Sequence, residues 1–94
     1  MPTKTAPLDL ADLLKTPEDQ AEFLRVAMED GDLAEINHAL GVIARARGMT
    51  EVARASGLGR ESLYKALRED SRPEFGTILR VMKALGLKLT VEPA

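Results

Sequence analysis

The chain has 94 residues, no cysteine and a formal net charge of −2, with 45% apolar and 30% charged residues. This length favours one domain with a modest core, and the composition is typical of a globular protein. The absence of cysteine excludes disulfides, thiol catalysis and the usual structural zinc ligands. No apolar run is long enough for a transmembrane helix, and no secretory signal is expected.

Charge is distributed unequally along the chain. Residues 1–44 carry 3 basic and 9 acidic side chains, whereas residues 45–91 carry 10 basic and 5 acidic ones. Such asymmetry between halves predicts two different partners, a polyanion for the basic half and a basic molecule for the acidic half. Two solvated faces without partners are the alternative.

The chain is predicted to begin with an N-terminal arm, residues 1–15. Its first seven residues are expected to fray, and residues 8–14 favour a short helical turn. Thr16 and Pro17 are typical of the first positions of a helix, and acidic residues follow them in the first turn. This helix is predicted to end at Gly31.

A second helix is predicted to begin at Asp32, which forms a capping box with Glu35, and to end at Gly48. The two helices make up an acidic helical part, residues 16–48. Apolar residues of the second helix recur at spacings of three and four, which predicts a buried stripe of Leu33, Ile36, Leu40, Ile43 and Ala44.

Residues 49–68 have the spacing of a DNA-binding helix-turn-helix, with helices predicted at 50–56 and 60–68. Gly57 lies where the chain must turn sharply, because glycine reaches positive φ without a Cβ clash. Four residues earlier, Ala53 is small enough for the two helices to approach closely. The residues predicted to close the core beneath the turn are Leu58, Val52, Leu63 and either Ala66 or Leu67.

The outward side of the second of these helices is expected to enter the major groove of DNA. Arg60 is the first choice for base readout, because its fork matches the O6 and N7 atoms of guanine. Glu61 is expected to accept from cytosine or to orient Arg60, and Lys65 to reach a base or a phosphate. Arg54 and Arg72 are flanking candidates. The predicted DNA-binding residues are Thr50, Arg60, Glu61, Tyr64, Lys65 and Arg68.

A C-terminal helix and strand are predicted within residues 73–92. The helix is expected to open at Ser71-Arg72-Pro73-Glu74 and to end at Gly86, with an inner stripe of Phe75, Ile78, Leu79, Met82 and Leu85. Residues 87–91 then alternate between apolar and polar, as in a half-buried strand. This strand must pair with the arm or with a second copy. The second copy is preferred, with residues 87–91 and the apolar face of helix 74–85 as the candidate homodimer interface.

Enzymatic chemistry is not expected. His38, the single histidine, is interpreted as a solvated surface residue because no second ligand or base accompanies it. Gly57 and Gly59 do not have the spacing of a phosphate-binding loop. No catalytic residue, metal ligand or cofactor is predicted.

Several segments together resemble the probable addiction module antidote proteins, which are HigA-type antitoxins of bacterial toxin–antitoxin pairs. The resemblance covers about residues 8–93, and its most specific part is the Arg-Glu-Ser-Leu-Tyr-Lys-Ala-Leu run at 60–67. It implies a small, basic, RelE/HigB-like toxin as partner and repression of the shared operon. The chain departs from the family at Gly59, where serine is common, and at Ile36-Asn37-His38, which is more polar than usual.

The expected fold is all-α, a lambda-repressor-like helix-turn-helix bundle of about five helices over residues 16–94, with a short C-terminal strand. A cytoplasmic, DNA-binding homodimer is expected. A stand-alone phage-like repressor and a fold used only for protein association are the alternatives. The acids expected to attract a basic toxin are Glu18, Asp19, Glu22, Glu29 and Asp30.

Overall fold

The computed structural model describes residues 9–94. All the regular secondary structure in this part of the chain is helical, and it contains no strand. A 3-10 turn at Leu10–Leu13 precedes the first long helix, in agreement with the helical turn predicted for residues 8–14; residues 1–8 of the predicted arm lie outside the described residues. The five helices are α1 (Pro17–Asp30), α2 (Leu33–Arg47), α3 (Met49–Ser56), α4 (Arg60–Ala66) and α5 (Phe75–Ala84).

Local capping fixes the ends of α1 and α2. The hydroxyl of Thr16 accepts a hydrogen bond from the amide of Asp19 at 3.0 Å, and Gly31 ends α1 in the left-handed conformation. Asp32 caps α2 by accepting from the amide of Ala34 at 3.0 Å. It therefore accepts from the second amide of the helix, whereas the predicted capping box requires a bond from the third. The predicted bounds of both helices are confirmed.

The core is centred on α2, which packs against α1, α3 and the 3-10 turn. Because it is covered from several directions, its buried face is wider than the predicted stripe. Leu33 is 40% exposed and Ile36 is half-buried, so the stripe begins one turn later than predicted. The fully buried apolar residues of α2 are Ala39, Leu40, Val42, Ile43 and Ala44.

The inner face of α5 differs from the predicted one. This helix begins at Phe75, after the segment 71–74 that was predicted to open it, and its N-cap Glu74 makes no side-chain hydrogen bond. Phe75 is 66% exposed and Leu79 is 41% exposed, although both were predicted inside. Since α5 packs on α3, its buried residues are Ile78, Val81 and Met82, followed by Leu85 at the C-cap.

A chain of polar contacts joins the ends of three helices. The guanidinium of Arg47 donates to the carbonyl of Leu85 at 2.6 Å and to the side-chain oxygen of Gln20 at 3.3 Å. The buried amide of Gln20 donates in turn to the carbonyl of Leu14 at 3.0 Å. Arg47 therefore does more than complement the dipole of α2, because it connects α1 with the end of α5.

The predicted C-terminal strand is not seen. The chain leaves α5 through a Schellman turn, in which Gly86 has a φ of 71° and the amide of Leu87 donates to the carbonyl of Met82 at 2.9 Å. Residues 87–94 have no regular secondary structure. A strand exists only as part of a hydrogen-bonded ladder, and no segment within residues 9–94 supplies one to this single chain. In the same described part, no helix is long and apolar enough to cross a membrane.

Candidate DNA-binding surface

The turn between α3 and α4 is made by two glycines. Gly57 adopts the left-handed conformation with a φ of 76°. The next amide, that of Leu58, donates to the carbonyl of Ala53 at 3.2 Å. Gly59 has φ 78° and ψ 154°, a region that is essentially restricted to glycine. The backbone of this turn therefore depends on glycine at both positions.

The underside of α3 and α4 is apolar and closed. Val52 and Ala53 of α3 and Leu63 of α4 are buried, and Leu67 is the buried residue of the pair left open by the sequence. Leu58 is half-buried against the same core. The predicted core beneath the turn is confirmed, so the two helices hold each other in a fixed orientation.

The helix α4 ends earlier than predicted. It stops at Ala66, and Leu67 is its C-cap, so Arg68 belongs to the following turn and not to the helix. Two contacts stabilise this turn: the amide of Ser71 donates to the carbonyl of Arg68 at 3.0 Å, and the side-chain amide of Asn37 donates to that same carbonyl at 3.0 Å. The helix predicted to reach residue 68 is therefore shorter by two residues.

Three of the predicted DNA-binding residues meet on one exposed surface. Arg60 donates to the hydroxyl of Thr50 at 3.3 Å and to the hydroxyl of Tyr64 at 3.2 Å. Its guanidinium carbon lies 5.6 Å from the centroid of the Tyr64 ring, within range of a cation–π contact. Arg60 is thus positioned by one residue of α3 and one of α4.

The remaining predicted residues do not join this cluster. Glu61 and Lys65 are exposed and make no side-chain hydrogen bond to any described residue, so Glu61 does not orient Arg60. Arg68 forms an ion pair with Asp70 at 3.2 Å. Of the flanking candidates, Arg54 pairs with Glu51, while Arg72 is exposed beyond α4.

A hollow of about 460 Å³ lies beside the cluster, between the 3-10 turn and the helices α2, α3 and α4. Asp9, Arg45 and Arg60 are among the residues that line it. Asp9 and Arg45 form an ion pair at 3.2 Å. The hydrogen bond from the amide of Ala11 is the main cause that lowers the pKa of the Asp9 carboxyl, and the hydrogen bond from Arg45 is the next. The sequence did not indicate this contact, because 36 residues separate its two members.

The polar stretch of α2 supports the turn that follows α4. Asn37 is fully buried, and its side-chain amide donates to the carbonyls of Arg68 and Ser71 at 3.0 and 2.9 Å. His38 lies 3.1 Å from Glu69 and keeps about half of its side chain exposed, near the solvated state predicted for it. Asn37 and His38 therefore connect α2 to the segment that follows α4.

The acidic residues of α1 fall into two groups. Arg25 forms ion pairs with Glu22 and Glu29 at 2.6 and 2.7 Å, and its hydrogen bond lowers the pKa of Glu22. The other predicted acids form no ion pair with a described residue and lie at the two ends of the helix; they are Glu18, Asp19 and Asp30. Within residues 9–94 there is no cluster of potential metal ligands.

Two comparisons relate the chain to known proteins. A family model described as "Probable addiction module antidote protein" matches residues 4–93. An uncharacterized protein of Haemophilus influenzae is 42% identical over 84 residues, which cover 89% of this chain and 87% of the relative. No solved structure matches the chain significantly.

Proposed function

The chain belongs to the family of probable addiction module antidote proteins, and we propose that it is an antitoxin with two binding activities. It binds operator DNA through α3 and α4, as a lambda-repressor-like helix-turn-helix, and so represses its own operon. It neutralises a small, basic, RelE/HigB-like toxin by direct contact. It acts in the bacterial cytoplasm and requires no cofactor and no catalysis.

The position of Arg60 carries the DNA-binding part of the proposal. Its guanidinium is exposed at the start of α4 and is held by Thr50 and Tyr64. A helix-turn-helix contacts base edges with the N-terminal residues of its second helix, and an arginine fork there suits guanine. Arg60 is therefore assigned to base readout, and Thr50 and Tyr64 hold it in place.

Phosphate contacts complete this surface. Lys65 lies about one helical turn beyond Arg60, and Arg68 follows in the turn after α4. Such cations supply affinity and register on the duplex without reading sequence. Arg68 must exchange its ion pair with Asp70 for a phosphate, whereas Lys65 has no ion pair among the described residues. Glu61 is assigned to cytosine N4.

A symmetric dimer follows from the small size of one such surface. A single seven-residue helix contacts few bases, and dimers place two recognition helices about 34–36 Å apart on successive turns of DNA. The operator is therefore proposed to be a palindrome, bound by two copies of the domain formed by residues 16–94.

The acidic helix α1 is proposed as the toxin-facing element. Complementary charge between partners accelerates their association. Since Arg25 offsets part of the charge of Glu22 and Glu29, the attraction is assigned mainly to Glu18, Asp19 and Asp30. These acids lie at the ends of α1. This helix packs mainly on α2 and is separate in sequence from α3 and α4.

The decisive experiment measures both activities on the full chain. Fluorescence anisotropy with promoter DNA and with scrambled DNA, each at several salt concentrations, is expected to show tighter, salt-dependent binding to the promoter. Co-expression with the product of the neighbouring gene is expected to yield a co-purifying complex and to relieve growth arrest. Promoter binding without a toxic neighbour would instead identify a stand-alone repressor, and no DNA binding would leave a fold used only for protein association.

A further inference from the structure

A groove of about 490 Å³ runs between α1 and the C-terminal tail, which we define as residues 87–92. Its floor is apolar and is made by Leu24 and Met28 of α1 and by Met82 of α5. The tail forms its opposite wall. The groove is on a different part of the molecule from the residues assigned to DNA, because none of the latter lines it.

The tail has the features of a strand that lacks a neighbour. Beyond the amide of Leu87, none of its backbone groups is hydrogen-bonded to a residue that the structure describes. Its apolar residues alternate with polar ones, and Leu89 is 39% exposed and Val91 is 95% exposed. An unpaired segment of this kind is a template for another strand.

The sequence of the tail is complementary to itself. In an antiparallel pair related by a two-fold axis at Thr90, Lys88 faces Glu92 of the second copy, and Leu89 faces Val91 of the second copy. Opposite charges and apolar residues are favourable when they lie directly across from each other. A two-fold axis at Leu89 would place Lys88 opposite Thr90 and would pair no charges.

We propose that two copies of this chain join through their tails as antiparallel strands about a two-fold axis at Thr90. Alternate residues of a strand share one face, so Leu89 and Val91 lie on the same side as the half-buried Leu87, towards the groove. Val91 of the second copy, beside Leu89, then covers the apolar floor of the groove. The inference rests on the symmetric dimer of the proposed function and names its interface.

The charges around the groove favour a second copy over a basic toxin. Arg25 and Glu29 line it from α1, and Lys88 and Glu92 line it from the tail. With two groups of each sign, the groove does not favour a partner of one charge. It does suit a copy of itself, in which each cation of the tail meets an anion.

Disulfide trapping tests the register. The native chain has no cysteine, so Thr90→Cys introduces a single thiol. Residues directly opposite in an antiparallel pair have Cα atoms about 4.5–5.5 Å apart, within the range of a disulfide. Mild oxidation is expected to give a covalent dimer. Phe75→Cys is the matched control on the exposed face of α5, and a dimer trapped by Phe75→Cys but not by Thr90→Cys would overturn the proposal.

A charge exchange tests the same interface without cross-linking. Lys88→Glu or Glu92→Lys alone is expected to raise the dimer dissociation constant about tenfold, because each creates two like-charged pairs by symmetry. The double variant is expected to restore the native value. Sedimentation equilibrium of the protein alone measures this, and circular dichroism checks that each variant is folded.

The outcomes separate the interface from the proposed function. A dimer that is insensitive to these substitutions would overturn the tail interface and leave the operator dimer intact. A monomer at all concentrations would overturn both the interface and the dimer. Loss of toxin binding in Val91→Asp with an unchanged oligomeric state would assign the groove to the toxin and overturn the proposal. Failure to bind promoter DNA by an intact tail-linked dimer would contradict the DNA-binding function alone.

Discussion

The guanidinium carbon of Arg60 lies 5.6 Å from the centroid of the Tyr64 ring, one helical turn further along, and the same guanidinium donates to the hydroxyl of Tyr64 at 3.2 Å. The phenol therefore contacts Arg60 in two ways, through its face and through its oxygen. Only the oxygen is lost in phenylalanine, which makes the two contributions separable.

Tyr64→Phe is expected to keep the ring contact and to lose the hydrogen bond. Because Tyr64 is exposed, the free energy of unfolding should change by less than about 0.5 kcal/mol. Discrimination between the operator and a site with one altered base pair should fall by about 0.5–1.5 kcal/mol. Anisotropy titrations with both DNA duplexes measure this, and undiminished discrimination would show that the hydroxyl does not position Arg60.

Arg60→Ala is expected to weaken operator binding by about 1–3 kcal/mol and to relax the preference at one base position. Lys65→Ala is the matched control. If Lys65 contacts a phosphate, its loss weakens operator and random DNA alike and reduces the salt dependence by about one unit of slope. An equal loss on both DNAs for Arg60→Ala would remove its base-reading role.

Gly41→Ala is expected to stabilise the protein by about 0.5–1 kcal/mol. Gly41 lies inside α2, where glycine costs backbone entropy relative to alanine. An added Cβ would lie 3.8 Å from the carbonyl oxygen of Leu67, an ordinary contact distance. Urea unfolding measures the change, and a destabilised variant would mean that α2 and the end of α4 cannot accommodate a methyl group.

Gly57→Ala is expected to have the opposite effect. Its φ of 76° is unfavourable for alanine by about 1–2 kcal/mol, and the new Cβ would lie 3.0 Å from the guanidinium of Arg80. The same unfolding assay applies. A variant as stable as the native protein would show that the turn can adopt another backbone conformation.

Asn37→Ala is expected to destabilise the protein by about 1–3 kcal/mol, because the carbonyl of Ser71 loses its donor and that of Arg68 keeps only the amide of Ser71. Hydrogen exchange should rise locally in residues 67–72. His38→Ala is a suitable control, since about half of this neighbouring side chain is exposed and its ion-pair partner Glu69 is exposed as well. Equal effects of both substitutions would contradict the supporting role of Asn37.

Neutralising Glu18, Asp19 and Asp30 is expected to slow association with the toxin at low salt and to have little effect at high salt. Neutralising Arg25 together with Glu22 and Glu29 should matter less, because this trio carries a net charge of only −1 whereas the first set carries −3. Stopped-flow association rates measure both. Unchanged rates for the first variant at low salt would remove the electrostatic part of the toxin proposal.

The bounds of α1 and α2 were predictable because their signals are local. Thr16 and Gly31 act within one turn of the helix that they limit, so neighbouring residues are enough to identify them. The same holds for the glycine turn between α3 and α4. Periodicity also identified the apolar core beneath that turn, since both helices contribute residues to it at regular spacing.

The helix α3 determines which side of α5 is buried, and the prediction of that side was wrong in part. Phe75 and Leu79 satisfy a helical period as well as Val81 does, but contact with α3 selects Val81. The contacts of Asn37 and Arg45 span more than 30 residues, and no local pattern indicates them. The orientation of Arg60 likewise required the relative positions of two helices.

The contacts of Arg47 link two surfaces to which separate partners are assigned. One guanidinium holds the end of α5, from which the tail departs, and Gln20 of α1, the helix assigned to the toxin. A displacement of α1 by a bound toxin would lengthen a hydrogen bond at the root of the dimerising tail. If both proposed assignments hold, we expect toxin binding to change the affinity between two copies, and dimerisation to change the affinity for the toxin by the same factor.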